Sequence, residues 1–265
     1  MNNYDRIIRN YYPNALPHGV VISRVTRFIR EELHINPDVL VAGNSICSDD
    51  INAIQFPNVG RELLGPFNLG GLGGYPFTGV TGVSAFTHHK TDANSVLVFF
   101  APHIGISLFA DPVNGVPGFV KRIGQNKASD CCGALWGAIK IVADLDQPID
   151  LCSDVQEFQE NSLVNILFPY KDELSRLPDN QKIIFATNVL YGHTRAELRA
   201  LVSRQHDLPP GFLIVYVGGT IINVDDNAEV EAYLALDELR IGSPLEKTET
   251  DHLERFSHWV KENAG

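Results

Sequence analysis

The chain has 265 residues, 44% hydrophobic and 20% charged, which fits one large or two small globular domains whose core needs no disulfides. Its 21 Lys and Arg against 32 Asp and Glu give a formal net charge of −11, a surface that repels phosphate backbones and acidic headgroups. Nucleic-acid and membrane-surface binding are therefore not expected, and the longest apolar runs, 96–101 and 212–217, are far too short to cross a bilayer.

The elements expected in chain order begin with a helix over 19–33, where Val21, Val25, Phe28, Ile29 and Leu33 fall at helical spacing. Residues 39–42 read as a buried strand ending at Gly43-Asn44. The glycine-dense stretch 65–82 is not expected to be helical, and its backbone can approach another group closely. Residues 96–101 read as a second buried strand, broken by Pro102. Ser129 or Asp130 can cap a helix running through Ala134, Leu135, Ala138, Ile139 and Val142. Further helices are expected at 155–166, 180–190, 194–205 and 250–261. Residues 212–217, Gly218-Gly219 and 220–224 read as a hairpin or two successive strands. Alternating strands and helices predict an α/β fold with a largely parallel sheet. With no repeat, low-complexity tract or Pro/Ser linker, residues 1–265 are expected to form a single domain.

The four cysteines are Cys47, Cys131, Cys132 and Cys152. Adjacent cysteines rarely bridge, and residues 1–12 are polar with no apolar signal core, so a cytoplasmic protein with free thiols is expected. Cys47 lies just past the first predicted strand and His103 just past the second, where open parallel sheets place ligand sites. Cys132 lies in the first turn of the helix that Ser129 or Asp130 would cap, a place that favours the thiolate. Two thiolates and one imidazole suit zinc, and three protein ligands leave a fourth position open to water, the catalytic arrangement. Each residue also has a plainer reading: the cysteines as small buried hydrophobes, the histidine as a turn residue. Cys131 is expected to point to the other side of the helix, and Cys152, with no strand before it, to be structural.

Four motifs occur in order: Cys47-Ser48-Asp49-Asp50-Ile51-Asn52, Gly70-Gly71-Leu72-Gly73-Gly74-Tyr75-Pro76-Phe77-Thr78-Gly79, Ala101-Pro102-His103-Ile104-Gly105-Ile106-Ser107, and Cys131-Cys132-Gly133-Ala134. Together they resemble the limiting-CO2-inducible B/C proteins, the theta-type carbonic anhydrases related in fold to the beta class. The resemblance implies a beta-carbonic-anhydrase-like central sheet flanked by helices and a homodimer, and the single domain over 1–265 is expected to begin with an N-terminal helical segment. It implies zinc held by Cys47, His103 and Cys132, with Cys131 as the alternative thiol, and reversible hydration of carbon dioxide to bicarbonate by zinc-bound hydroxide. Asp49 matches the beta-class aspartate that pairs with an arginine. Arg61 is the candidate partner, although its spacing departs from the C-x-D-x-R pattern. Both have plainer readings, Asp49 as a helix N-cap and Arg61 as a surface charge.

Tyr75, Phe77 and Phe86 are candidate walls for an apolar substrate pocket. His88 and His89 are candidate proton shuttles. The GxxxxGK[ST] phosphate-loop pattern is absent, so the glycines are read as close backbone packing around the metal. The alternatives to the enzyme are a non-catalytic zinc protein binding bicarbonate or a partner, and a metal-dependent hydrolase of a small substrate.

Overall fold

The computed structural model describes residues 3–52, 56–60, 65–90, 94–226 and 232–263. Helix α1 (Asn3–Tyr11), strand β1 (Leu16–Pro17) and helix α2 (His18–Glu31) precede β2 (Val41–Ile46) and β3 (Phe67–Asn68). Helix α3 (Gly79–His88) leads into β4 (Ser95–Ala101), β5 (His103–Ser107) and the short strands β6 (Val116–Pro117), β7 (Phe119–Val120) and β8 (Ser129–Asp130). Four helices follow: α4 (Gly133–Asp144), α5 (Phe158–Leu167), α6 (Lys171–Arg176) and α7 (Asp179–Ser203). The chain closes with β9 (Leu213–Val224), β10 (Ala232–Ser243), β11 (Thr248–Asp251) and α8 (Leu253–Glu262). No described helix is long and apolar enough to cross a membrane.

The central sheet is mostly parallel at its heart: β3, β2, β4 and β9 run side by side in one direction. An antiparallel extension through β10 to β1 and β11 completes that edge. The parallel strands are buried on both faces, so their apolar residues run continuously rather than alternating with polar ones. Along β4, Leu97, Phe99 and Ala101 join α2 and α8 in one core, with Phe28, Phe256 and Trp259. Val96, Val98 and Phe100 point the other way, to Val83 and Phe86 of α3 and Leu198, Leu201 and Val202 of α7. A third cluster packs α1, α4, α5 and the first half of α7 over Ile104, Ile106, Ile222 and Val224, and Cys47 and Cys132 belong to it.

Strand β9 organises the sheet. Its first half pairs with β4, from Ser95↔Leu213 to Phe100↔Gly218. Its second half pairs with β5, from His103↔Ile221 to Ile106↔Val224. Between them Ile221 N–H donates to the Pro102 carbonyl at 3.0 Å, so β4 and β5 form one line interrupted where proline has no N–H to give.

Several boundaries differ from those expected. The first strand runs on through Gly43-Asn44 to Ile46, because the Asn44 amide is satisfied in place: Nδ2 donates to the Phe56 carbonyl (3.1 Å) and Oδ1 accepts from Phe56 N–H (2.9 Å). The end of the glycine-dense stretch is helical in α3, whose Val83, Phe86 and Thr87 are buried at helical spacing. Ser129 and Asp130 do not cap α4; they pair with β7, and Cys132 occupies the N-cap without a side-chain cap bond. The two helices expected at 180–190 and 194–205 are one, since Gly192 sits in open space within α7 and does not break it. Gly218-Gly219 is no turn. A Cβ on Gly218 would lie 2.4 Å from the Phe100 ring, and one on Gly219 would lie 2.1 Å from the Ala235 carbonyl. These glycines let neighbours close on a continuous strand. Strand β10 was not expected at all.

Candidate metal centre

Cys47 follows β2, His103 opens β5 and Cys132 caps α4, so the three come from two parallel strand ends and a helix N-terminus. All three are 1–3% exposed. One sulfur or nitrogen atom from each lies within 4.8 Å of the others, and the two sulfurs are 3.9 Å apart.

Asn223, the penultimate residue of β9, decides how the imidazole presents itself. Its Nδ2 donates to the Ile51 carbonyl at 3.3 Å, which turns its Oδ1 toward His103 Nδ1 at 2.8 Å. An amide oxygen only accepts, so Nδ1 carries the proton and the lone pair of a neutral ring falls on Nε2. Nε2 is buried and has no hydrogen-bond partner in the protein. Leaving such an atom unsatisfied costs about 1–3 kcal/mol, a cost that coordination of a cation removes.

The sulfurs point to the same conclusion. The hydrogen bond with Cys132, together with burial, pushes the Cys47 thiol up, while His103 opposes both. Two buried thiols side by side cannot both ionise without a cation between them. Burial disfavours a charged His103, yet Cys131 and Cys47 outweigh it and hold the ring above the usual histidine range. The donor set therefore fits a metal, and two thiols with one imidazole are a zinc-type set.

Cys131 does not point away. Its thiol lies 3.6 Å from His103 Nδ1 and 3.7 Å from Asn223 Oδ1, so it touches the back of the ring while Cys132 faces Cys47. Cys152 is exposed.

The segment after β3 wraps around Cys47. Gly73 N–H donates to its sulfur at 3.2 Å. A Cβ on Gly70 would stand 2.3 Å from the Ile46 carbonyl, and Gly74, at φ +83°, lies against the Cys47 backbone nitrogen. Only glycine combines that approach with that backbone.

Asp49 stands two residues beyond Cys47, and both its carboxylate oxygens accept from one arginine nitrogen. That arginine is Arg122, whose Nη2 lies 3.0 and 2.9 Å from Oδ1 and Oδ2, while its Nη1 bonds Asp50. Burial would raise the Asp49 carboxyl, but hydrogen bonding with Asp50 and Arg122 outweighs it and holds the group below the usual carboxylate range. Arg61 lies outside the described residues. Arg122, 73 residues from Asp49 and in a loop between β7 and β8, carries no local sequence signal; Asn223 carries one, a lone amide inside Ile221-Ile222-Asn223-Val224.

Phe86 is fully buried in the core under β2 rather than in a pocket wall. Tyr75 and Phe77 meet edge to face, 5.1 Å between ring centroids, and line a shallow cleft with Phe158, His193 and Glu197. His88 and His89 sit at the exposed end of α3, each with Nδ1 against a carbonyl of its own helix, Ser84 at 2.7 Å and Ala85 at 2.6 Å.

PtLCIB4, a homolog of the limiting CO2-inducible protein LCIB, superposes with a TM-score of 0.79 at 23% identity, over 93% of this chain and 98% of its own. A point variant of PtLCIB4 gives 0.80 at 22% identity, over 95% and 99%. LCIB itself gives 0.62 at 18% identity, over 91% and 95%. These likenesses establish the fold, a beta-carbonic-anhydrase-like central sheet flanked by helices. No curated protein matches. The family model described as limiting CO2-inducible proteins B/C beta carbonic anhydrases matches residues 17–241, and the chain belongs to that family.

Proposed function

We propose that the chain is a zinc carbonic anhydrase interconverting carbon dioxide and bicarbonate, with Cys47, His103 and Cys132 as the metal ligands. The observation that carries this reading is the two-bond clamp of Arg122 on Asp49, two residues from a ligand cysteine. Asp49 Oδ1 also accepts from Ile51 N–H at 3.3 Å, but a turn cap needs no arginine, and the clamp fixes the carboxylate beside the ligand cysteine.

When bound, zinc supplies an acidified water and a Lewis-acid position at neutral pH. Two thiolates weaken that effect by donating charge, so the surroundings have to help. Asp49 accepts a hydrogen bond from the nucleophile and leaves its lone pair aimed at carbon dioxide. Arg122 keeps Asp49 ionised and in place, and so keeps it from becoming a fourth ligand. The glycine segment against Cys47 and the buried walls of the cluster exclude bulk water from the thiols. Overall, carbon dioxide and water yield bicarbonate and one proton, which leaves to solvent.

Elemental analysis of protein purified without chelator, with stopped-flow CO2 hydration, tests this directly. Wild type is expected to carry about one zinc per chain and to hydrate carbon dioxide. Cys47→Ala should lose both; Asp49→Ala should keep zinc and lose hydration. Zinc without hydration in the wild type would replace this reading with a non-catalytic zinc protein that binds bicarbonate or a partner.

A further inference from the structure

Strand β9 ends at Val224 and the chain continues into Asp225-Asp226, where Asp225 does a job separate from that of Asn223. Asp225 is 3% exposed and each of its carboxylate oxygens accepts two hydrogen bonds. Oδ1 takes Ser107 Oγ at 2.8 Å and Lys121 N–H at 2.7 Å; Oδ2 takes Tyr4 Oη at 2.6 Å and Phe109 N–H at 2.9 Å. Four donors occupy the lone pairs of a buried carboxylate that water does not reach. They come from four places: β5, the turn after it, α1 and the loop that carries Arg122.

The connection to Lys121 is double. Asp226 N–H donates to the Lys121 carbonyl at 3.0 Å, and Lys121 Nζ reaches the Asp226 carboxylate at 3.3 Å. Both backbone polar groups of the residue before Arg122 are therefore tied to the end of β9. On the other side, Arg122 N–H donates to Gln125 Oε1 at 3.3 Å, and Ser129 Oγ holds the same oxygen at 3.0 Å. An arginine on a loop becomes a fixed clamp only if its backbone is fixed, and here that is done from β9.

Tyr4 brings the N-terminal helix into the node. Helix α1 is anchored by Ile7 and Ile8, both fully buried, and by Tyr233 Oη donating to Asp5 at 2.8 Å. Its Tyr4 hydroxyl contributes one of the four bonds that hold the Asp225 carboxylate in place.

We infer that Asp225 is the positioning residue for Arg122, and that Tyr4 makes the N-terminal helix part of the catalytic scaffold. Asp225 touches neither substrate nor metal; it acts through the Lys121 backbone on the Arg122 guanidinium. The inference rests on the proposed carbonic anhydrase activity for its kinetic consequence, and on the Asp49–Arg122 contact alone for its structural one.

The test uses the full-length zinc-loaded chain with Asp225→Asn and Tyr4→Phe, each alone and combined with Arg122→Ala. Asparagine offers an N–H where two donors already point, so Asp225→Asn disrupts the node; Tyr4→Phe removes one hydroxyl and leaves the packing. Asp225→Asn should lower kcat by about 10- to 100-fold, the upper figure being the scale of an ångström of misplacement, and Tyr4→Phe a few-fold, with zinc content unchanged. In the Arg122→Ala background neither should lower kcat further. A second readout is independent of turnover: the Nη–H NMR signals of Arg122, the groups that bond Asp49 and Asp50, assigned by their loss in Arg122→Lys. They should be protected from exchange in wild type and exposed in Asp225→Asn. Equal losses with and without Arg122, or an unchanged Arg122 signal in both single variants, would overturn the inference. A wild type that hydrates no carbon dioxide would defeat the functional reading, and the guanidinium signal would then decide the positioning role alone.

Discussion

The candidate metal donors and the acid–arginine pair differ in how the fold makes them. Cys47, His103 and Cys132 come from strand ends and a helix N-terminus and are almost completely buried. Asp49 and Arg122 come from loops, with side chains 18% and 23% exposed. The first group is placed by the ends of regular elements and stays placed as long as the sheet and the helix packed on it exist. The second depends on hydrogen bonds that tie loops down. Binding of the metal and its chemical use should therefore fail separately, and each variant below is a way to break or sharpen that division.

The largest effect belongs to the donors. His103→Ala should remove both bound metal and hydration, read by elemental analysis and stopped-flow assay, because two thiols alone do not complete the site. Arg122→Ala comes next: zinc should stay near one per chain while kcat/KM falls roughly 100- to 1,000-fold, the scale of removing one preorganised charged partner. Equal loss of metal in both variants would dissolve the division. Asn223→Leu should weaken metal affinity by about 10- to 100-fold, measured by competition with a chelator, because the imidazole loses the contact that fixes its tautomer. The smallest effect lies outside the site. Burial holds His18 down at about 4 against an ordinary value of 6.5, and its Nε2 has no partner. Its folded pKa is depressed, so its contribution is present above about pH 6.5 and is lost as pH falls toward 4. His18→Leu should flatten that limb of a pH-dependent denaturant titration and leave metal content unchanged.

Cys47 and His103 were readable in the sequence as candidate donors for a physical reason: parallel strands buried on both faces announce themselves as apolar runs, and ligands follow directly where such runs stop. Cys47 and His103 stand at those stops. Arg122 was not readable, because nothing near residue 122 records that the loop folds back onto Asp49. Asn223 was visible as a lone amide in an apolar strand, but its partner His103 is 120 residues away. Strand β10 was hidden by composition. Leu234-Ala235-Leu236-Asp237-Glu238-Leu239 favours a helix, and antiparallel pairing with β9 overrides that local preference. Gly218-Gly219 misled in the opposite direction, since glycine pairs signal turns and close packing alike. Deciding between them required the Phe100 ring and the Ala235 carbonyl that come to rest against them.

The long reach of β9 also sets an order of failure. Its amides are bonded along twelve residues, first beside β4, then beside β5, with β10 on the other edge. Such amides are among the last in a domain to exchange with solvent, because releasing them takes something close to global unfolding. His103 takes its orientation from that strand, whereas the loop carrying Arg122 reaches it through a handful of bonds at its end. On slow heating, catalytic inactivation should precede release of the metal, and a partly warmed protein should be a population that still holds its zinc and no longer turns over.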